Sequence, residues 1–304
     1  MYLGVMPKRP TLKELQALPL SAKVAHSLNV ISSALVHFDG QMYVSFSGGK
    51  DSTVLLDLAR RIKPDIKAVF CNSGLEWPEI VYFVRSVPNV EIIRPAMTFK
   101  QVIEKYGYPV INKEQSQFIH EIRTTKSQKL LNTRLNGNKA NMGKLSKKWH
   151  FMLDAPFKIS HKCCEVIKKT PFKKYEKQTG LKPFIGTMAG ESRLRVQQWV
   201  KYTCNAFDKR RPTSNPLSIW NDSDIWEYIH KFKIPYCPIY DVEGIDRTGC
   251  VICMYGIHKD DIDKFSILET RHPKMHNLFM NKLGCREVLN FTLQKDKQQL
   301  KLDL

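Results

Sequence analysis

Eight cysteines punctuate the chain, and four of them are spaced for ligation. Cys163 and Cys164 are adjacent in "HKCCEV", Cys250 and Cys253 form the C-x-x-C of "GCVIC", and 85 residues separate Cys164 from Cys250. A disulfide between two sequence neighbours would close a strained ring and constrain almost no loop, so it would stabilise little. Four thiolates can instead bind metal. Zinc accepts four, but two adjacent residues reach a single tetrahedral ion awkwardly. A 4Fe-4S cluster has separate iron corners, so neighbouring thiolates can each take a different iron. Lys158, Lys162, Lys168 and Lys169, near the pair, would offset the negative charge of such a cluster. The residues favour the cluster, with zinc or unliganded thiols as the alternatives. Cys71, Cys204, Cys237 and Cys285 lack any such pattern and read as core or surface thiols, with Cys285 alone kept as a candidate.

A second chemical feature is "SFSGGKDST", which holds Ser45, Ser47, Gly48, Gly49, Lys50, Asp51 and Ser52. Glycines let backbone N–H groups wrap an anion, and a following helix adds the positive end of its dipole. Lys50 can neutralise phosphate charge, and Asp51 is a plausible Mg2+ ligand, because Mg2+ in phosphate sites takes one or two carboxylates. A Walker A loop is excluded, since G-x-x-x-x-G-K-[ST] does not fit here.

These residues need a frame. Apolar spacing predicts helix over 11–39, broken at Pro19. "QMYVSFS" (41–47) reads as a strand that ends in the glycine turn, and "DSTVLLDLARRI" reads as the helix after it. "DIKAVFCNSG" and "VEIIRP" read as further strands, "EWPEIVYFVRSV" and "TFKQVIEKYG" as helices, and "KPFIGTMAG" (182–190) as a later strand of the same sheet. Strands alternating with helices indicate an α/β, doubly wound parallel sheet of Rossmann-like type. Residues 113–150 hold nine Lys or Arg against two Glu and read as an inserted basic segment of helix and loop, either a solvated excursion or a nucleic-acid arm. From about residue 205 the chain reads as loop-rich, with one clear helix at about 222–232 and a charged, frayed helical tail. The expected organisation is an N-terminal helical segment (1–40), a nucleotide-binding α/β domain (41–204) and a C-terminal cluster-binding and helical region (205–304).

The chain has 304 residues, 42% of them hydrophobic, which fits one large or two ordinary globular domains. The first residues lack the apolar run of a signal peptide, and no apolar stretch reaches about 18 residues, so a cytoplasmic protein with no membrane association is expected. The net charge of +19 implies a polyanionic partner, or an anionic small substrate and a solvated basic surface.

The string SGGKDS resembles the PP-loop of the ATP pyrophosphatase and adenine nucleotide α-hydrolase superfamily (PP-loop/HUP type), where the loop binds the pyrophosphate end of ATP. "KCCEVIKKTPF" with "GCVIC" resembles the cluster motif of the adenylylsulfate (APS) reductases within the PAPS reductase family. "NSGLEWPE", carrying Asn72 and Gly74, is similar to the family's turn after the second strand. "GTMAGESRLR" aligns Gly186, Ser192 and Arg195 with a further family segment, and "NPLSIWNDSDIWEYIHKFKIPYCPIY" follows another. The resemblance spans 41 to about 255, with 113–150 as an unmatched insert. It implies an adenine nucleotide held by the loop residues, Asn72, Gly74, Gly186, Ser192 and Arg195.

Departures from the family pattern matter for the reaction. The reductases carry a nucleophilic cysteine in a Glu-Cys-Gly-Leu-His tail, whereas this chain ends "QQLKLDL", and Cys285 in "KLGCREVLNF" lacks that context. The reductases often have a degraded loop, whereas Lys50 and Asp51 are intact here, which argues for ATP and Mg2+; Met188 stands where many relatives place arginine. The resemblance then leads with an ATP-dependent sulfurtransferase that adenylates a DNA or tRNA acceptor, in which Lys50, Asp51 and Arg195 clamp the phosphates. The alternatives are an APS/PAPS reductase with Cys285 as nucleophile, and a non-catalytic, nucleotide-sensing subunit. Expected partners are a sulfur donor protein or a thiol reductant, and an oligomer is compatible with either.

Overall fold

The computed structural model describes residues 10–257 and 264–302, with side chains up to residue 293. The chain folds into two compact units built from interleaved segments: 10–71, 78–93 and 174–239 form the first, and 72–77, 94–173, 240–257 and 264–302 the second. Elements are numbered along the chain.

The first unit opens with α1 (Leu12–Gln16) and α2 (Leu20–His37), separated at Pro19, which caps α2. β1 (Met42–Phe46), α3 (Lys50–Ile62), β2 (Ala68–Cys71), α4 (Pro78–Ser86) and β3 (Val90–Ile93) then alternate as their periodicity predicts. Later elements of this unit are the end of α8 (Thr170–Thr179), β5 (Lys182–Ile185), α9 (Arg193–Tyr202), β6 (Asn205–Ala206), β7 (Thr213–Ser214) and α10 (Asp222–Phe232). The sheet order is β3-β2-β1-β5-β7-β6, parallel except for the β6–β7 hairpin. β1 is central, with Val44 in register with Ala68 on one side and Phe184 on the other.

Successive strand residues face opposite sides of a sheet, and β1 shows helices on both. The Tyr43 hydroxyl donates to Glu176 of α8, while Phe46 lies against Phe83 of α4. α3 packs on β1 and β5, and α2 and α10 pack on α3. This is a doubly wound, Rossmann-like α/β sheet. The chain runs outward from β1 to β3 and returns to β5 on the other side, so the winding reverses between β1 and β5. Open α/β sheets bind ligands at the carboxyl ends of the strands flanking such a reversal.

The second unit contains α5 (Phe99–Lys105), β4 (Val110–Ile111), α6 (Lys113–Thr124), α7 (Gln128–Asn136) and a 3-10 helix (Lys147–Asp154). It continues with a π-helical turn (Glu165–Lys169), β8 (Met254–Tyr255), α11 (Lys264–Arg271), α12 (Pro273–Asn277) and α13 (Cys285–Leu302). β4 and β8 pair in parallel, and Tyr108 bridges Ile159. Residues 113–150 are helix and loop, as their composition predicts. They are anchored by Phe118, Ile119, Leu145 and Trp149, all buried, and each such side chain contributes about 1.5–3 kcal/mol. The region beyond 264 is more helical than its sequence suggested, because α11 and α12 are short and carry weak periodicity. Among the described residues no helix is long and apolar enough to cross a membrane.

Candidate functional site

In the first unit, the glycine turn leaves β1 and starts α3 at the winding reversal. Gly48 has φ +73°, and a Cβ there would lie 2.8 Å from Val84 Cγ2 and 2.9 Å from Ile80 Cγ2, so only glycine fits. Hydroxyls brace the turn from inside. Ser52 Oγ accepts from the Ser47 N–H at 3.1 Å and donates to the Gly49 carbonyl at 2.9 Å, while Thr53 Oγ1 donates to the same carbonyl at 3.0 Å. Gly49 is the N-cap of α3 and offers no capping side chain; its own N–H donates to Ser47 Oγ at 3.3 Å, and the positive end of the helix is left uncapped. Ser47 is exposed, Ser45 lies half-buried within β1, and Gly186, after β5, brings its Cα side within contact of the Asp51 backbone.

Lys50 sits differently from the sequence expectation of a phosphate-facing cation. It is buried, with Nζ 2.5 Å from Asp222 Oδ1 and 3.2 Å from Asp51 Oδ1. Burial pulls its pKa down, but the hydrogen bond to Asp222 and the charges of Asp51 and Asp222 outweigh this and raise it. Asp222 was missed by sequence reasoning, because as the first residue of α10 it reads as ordinary helix-terminal acid. Ser192 caps α9, accepting from the Arg195 N–H at 3.3 Å, and the Arg195 guanidinium pairs with Glu191. Arg195 also lines a pocket of about 150 Å³ with Thr187, Trp199, Lys209 and Asn215.

In the second unit, Asn72 and Gly74 belong to a turn closed around a buried carboxylate. Asn72 Oδ1 accepts from the Gly74 N–H at 3.1 Å, and Glu76 accepts from the Ser73 hydroxyl at 2.6 Å and the Ser73 N–H at 3.0 Å. The S-x-x-E spacing of Ser73 and Glu76, a capping-box pattern, is the local signal that could have found this carboxylate. The Val251 N–H donates to the Leu75 carbonyl at 2.8 Å, which ties this turn to the C-x-x-C segment.

The four thiols named from the sequence are neighbours in this unit. Cys163 and Cys164 occupy the helical start that runs into the π-helical turn, a distortion frequent at functional sites. The Cys253 N–H donates to the Cys250 carbonyl at 3.1 Å, and the β4–β8 ladder anchors the segment through Met254 and Tyr255. Burial, followed by the charges of Cys250, Cys164 and Cys253, pushes the Cys163 thiol up. Burial also lifts Cys250, against the charge of Lys168. Lys168 is itself pulled down by burial, but the charges of Cys250 and Glu76 and a hydrogen bond to Cys250 raise it overall. None of the four is in a disulfide. Among the described residues no three His, Cys, Asp or Glu side chains form a single-ion metal site. An all-sulfur donor set with the half-buried Lys168 beside it fits an iron–sulfur cluster by its chemistry.

Cys285 lies in the same unit as the first residue of α13. It is 1% exposed, and burial pushes its thiol up to about 12.

Comparison with known proteins adds a family to this geometry. The phosphoadenosine phosphosulfate reductase domain matches residues 41–142 and 110–255, two matches that overlap across much of the basic segment. Adenosine 5'-phosphosulfate reductase of Geobacillus thermodenitrificans is 24% identical over 241 residues, 79% of this chain and 84% of that protein. The Geobacillus kaustophilus enzyme of the same name is 27% identical over the same shares. An uncharacterized protein of Methanocaldococcus jannaschii is 26% identical over 69% of this chain and 35% of its own length. Among solved structures, phosphoadenylyl-sulfate reductase from Candida auris in a phosphate complex aligns with TM-score 0.44 and 17% identity, covering 79% of this chain and 91% of that one.

Proposed function

The chain belongs to the phosphoadenosine phosphosulfate reductase family, and from that premise we propose that it is an enzyme of sulfur metabolism that binds an adenosine phosphosulfate in its first unit and reduces the sulfur to sulfite. The observation that carries this reading is the open N-terminus of α3 at the winding reversal of the sheet, in a family whose similar members are named APS reductases. Backbone N–H groups of Gly48, Gly49 and Lys50 would hold the anionic phosphates, with Ser47 and Ser52 shaping the cradle and Gly186 keeping its wall close. Ser192 and Arg195 would extend the anion site along α9.

Reduction needs two electrons from thiols. A thiolate attacks the sulfonyl sulfur, the S–O bond breaks, and the nucleotide leaves with that electron pair, as AMP from APS or adenosine 3',5'-bisphosphate from PAPS. A second thiol then attacks the S-sulfonated thiol, releasing sulfite and leaving a disulfide. The buried Cys285, with its raised pKa, makes a poor attacking thiolate, so both thiols are assigned to a partner reductant. Cys163, Cys164, Cys250 and Cys253 would hold a 4Fe-4S cluster. When bound, such a cluster supplies a redox-active, charge-bearing centre.

One observation favours a second reading. Lys50 with two carboxylates, Asp51 and Asp222, offers the groups that Mg2+ and ATP use. An acceptor oxygen on DNA or tRNA would then attack the α-phosphorus, pyrophosphate would leave, and a sulfur donor would displace AMP. The test supplies anaerobic protein with APS, PAPS or ATP and Mg2+, with dithiothreitol present. Sulfite from APS or PAPS supports the reductase. Pyrophosphate from ATP without sulfite replaces it with the second reading, and neither product means a nucleotide-sensing subunit.

A further inference from the structure

Two pockets in the second unit meet at Lys158. One, of about 480 Å³, is lined by Lys100, Glu104, Tyr108, Lys158 and Lys282. The other, of about 340 Å³, is lined by Lys105, Tyr106, His120, Arg123 and the same Lys158. The five cations are exposed, and the two tyrosines are half-buried. Among the described residues Glu104 is the only acid on either wall, and residues 94–173 hold 17 Lys or Arg against 5 Asp or Glu.

The groove is built rather than incidental. Gly107 has φ +110°, and a Cβ there would lie 2.4 Å from the Lys158 carbonyl carbon, so only glycine permits the approach. That approach lets the Tyr108 N–H donate to the Lys158 carbonyl at 2.8 Å and the Ser160 N–H to the Tyr108 carbonyl at 3.1 Å. Lys158 Nζ donates to the Glu104 carbonyl at 2.9 Å, and the Tyr108 hydroxyl to the Leu283 carbonyl at 2.8 Å. The Arg123 guanidinium donates to the Phe157 and Ala155 carbonyls at 2.8 and 3.0 Å. Lys105 Nζ stands 5.3 Å above the Tyr106 ring. Cations and aromatic faces are thus presented together on a fixed backbone.

We propose that this groove binds single-stranded nucleic acid, its lysines tracking the phosphates and Tyr106 and Tyr108 giving bases a face to stack on. Interleaved cations and rings are what single strands need. An acidic peptide would use the cations but not the rings, and a duplex keeps its base faces stacked inside. The proposal does not depend on which nucleotide the first unit takes.

The full-length protein is titrated into fluorescein-labelled RNA and DNA single strands of about 16 nucleotides, and anisotropy is followed across a KCl series. Binding of either strand is expected. The triple variant Lys100→Gln, Lys105→Gln, Lys282→Gln should flatten the log–log salt slope by about 2, since each single-strand phosphate contact contributes about 0.7. Tyr106→Leu should weaken binding about tenfold with little change in slope. The triple variant Lys129→Gln, Lys139→Gln, Lys147→Gln, which removes as much charge elsewhere in the unit, should bind as the parent does, and near-ultraviolet circular dichroism checks that each variant is folded. An equal loss in this control overturns the groove. Displacement by polyglutamate as effective as by unlabelled strand, or duplex binding insensitive to Tyr106→Leu, overturns the single-strand assignment.

Discussion

The Lys50 ammonium lies 2.5 Å from the Asp222 carboxylate, joining the first residue of α3 to the first residue of α10. The cation of the anion-binding turn is therefore already paired, and a phosphate must compete with Asp222 for it. Asp222→Asn should leave Lys50 with Asp51 as its acidic neighbour at 3.2 Å and tighten AMP or APS binding about three- to tenfold, as one charge-assisted hydrogen bond is freed for the ligand. If Asp222 serves a metal–nucleotide instead, the same variant should weaken ATP with Mg2+. Calorimetric titration of both ligands separates the cases, and unchanged affinity for both would remove Asp222 from the site.

Gly48→Ala tests the turn itself. The left-handed backbone and the 2.8 Å approach to Val84 Cγ2 leave no room for a methyl group. The variant should lose about 1–3 kcal/mol of stability and most of its nucleotide affinity. Normal binding at an unchanged urea midpoint would show that the turn tolerates a side chain.

Cys285→Ser should leave sulfite release intact. The thiol is buried and its pKa stands at about 12, so the thiolate is scarce at neutral pH. Burying a hydroxyl in its place should cost about 1–2 kcal/mol. Mass spectrometry after iodoacetamide treatment should find Cys285 modified only in denaturant. Abolished sulfite release in a folded variant would return the nucleophile to Cys285.

Anaerobic purification should yield a brown protein with about four iron and four sulfide per chain. Cys164→Ser should lose the visible absorption, while Cys237→Ser, at a buried cysteine outside the quartet, should keep it. A colourless parent protein with one stoichiometric zinc would contradict the cluster.

Alkaline stability should report Tyr175. Its hydroxyl lies 3.2 Å from Glu91 Oε2, and burial followed by the Glu91 charge raises its pKa from 10.0 to about 12. The folded value lies above the unfolded one, so the contribution is complete below about pH 10 and is lost as pH rises through about 12. Urea midpoints of parent and Tyr175→Phe should therefore differ most at neutral pH and converge above pH 12. A constant difference across the range would place the stabilisation elsewhere.

Much of the fold is legible in the amino-acid sequence alone. The strand–turn–helix at "SFSGGKDST", the break at Pro19, the later strand at "KPFI" and the helix at 222–232 all lie where local pattern puts them. Each depends on interactions within a few residues: a period of two or 3.6, a glycine that alone accepts φ +73°, and a proline that cannot continue a helix. The pairing of "CC" with "CxxC" is also legible, because two adjacent thiols have little structural use on their own.

What no local stretch shows is how distant segments meet. The β4–β8 ladder joins two-residue strands far apart in sequence, too short to carry a period, yet it anchors the C-x-x-C beside Tyr255. The pairing of Lys50 with Asp222, the burial of Glu76 near Lys168, and the groove shared by Lys100, Lys158 and Lys282 likewise join residues that no local pattern links. Residue types and short-range spacing set which chemistry was available: an anion turn, four thiols and an excess of cations. Tertiary packing decided which charges neutralise one another and which face solvent, because Coulomb energy and burial depend on distance through space rather than along the chain.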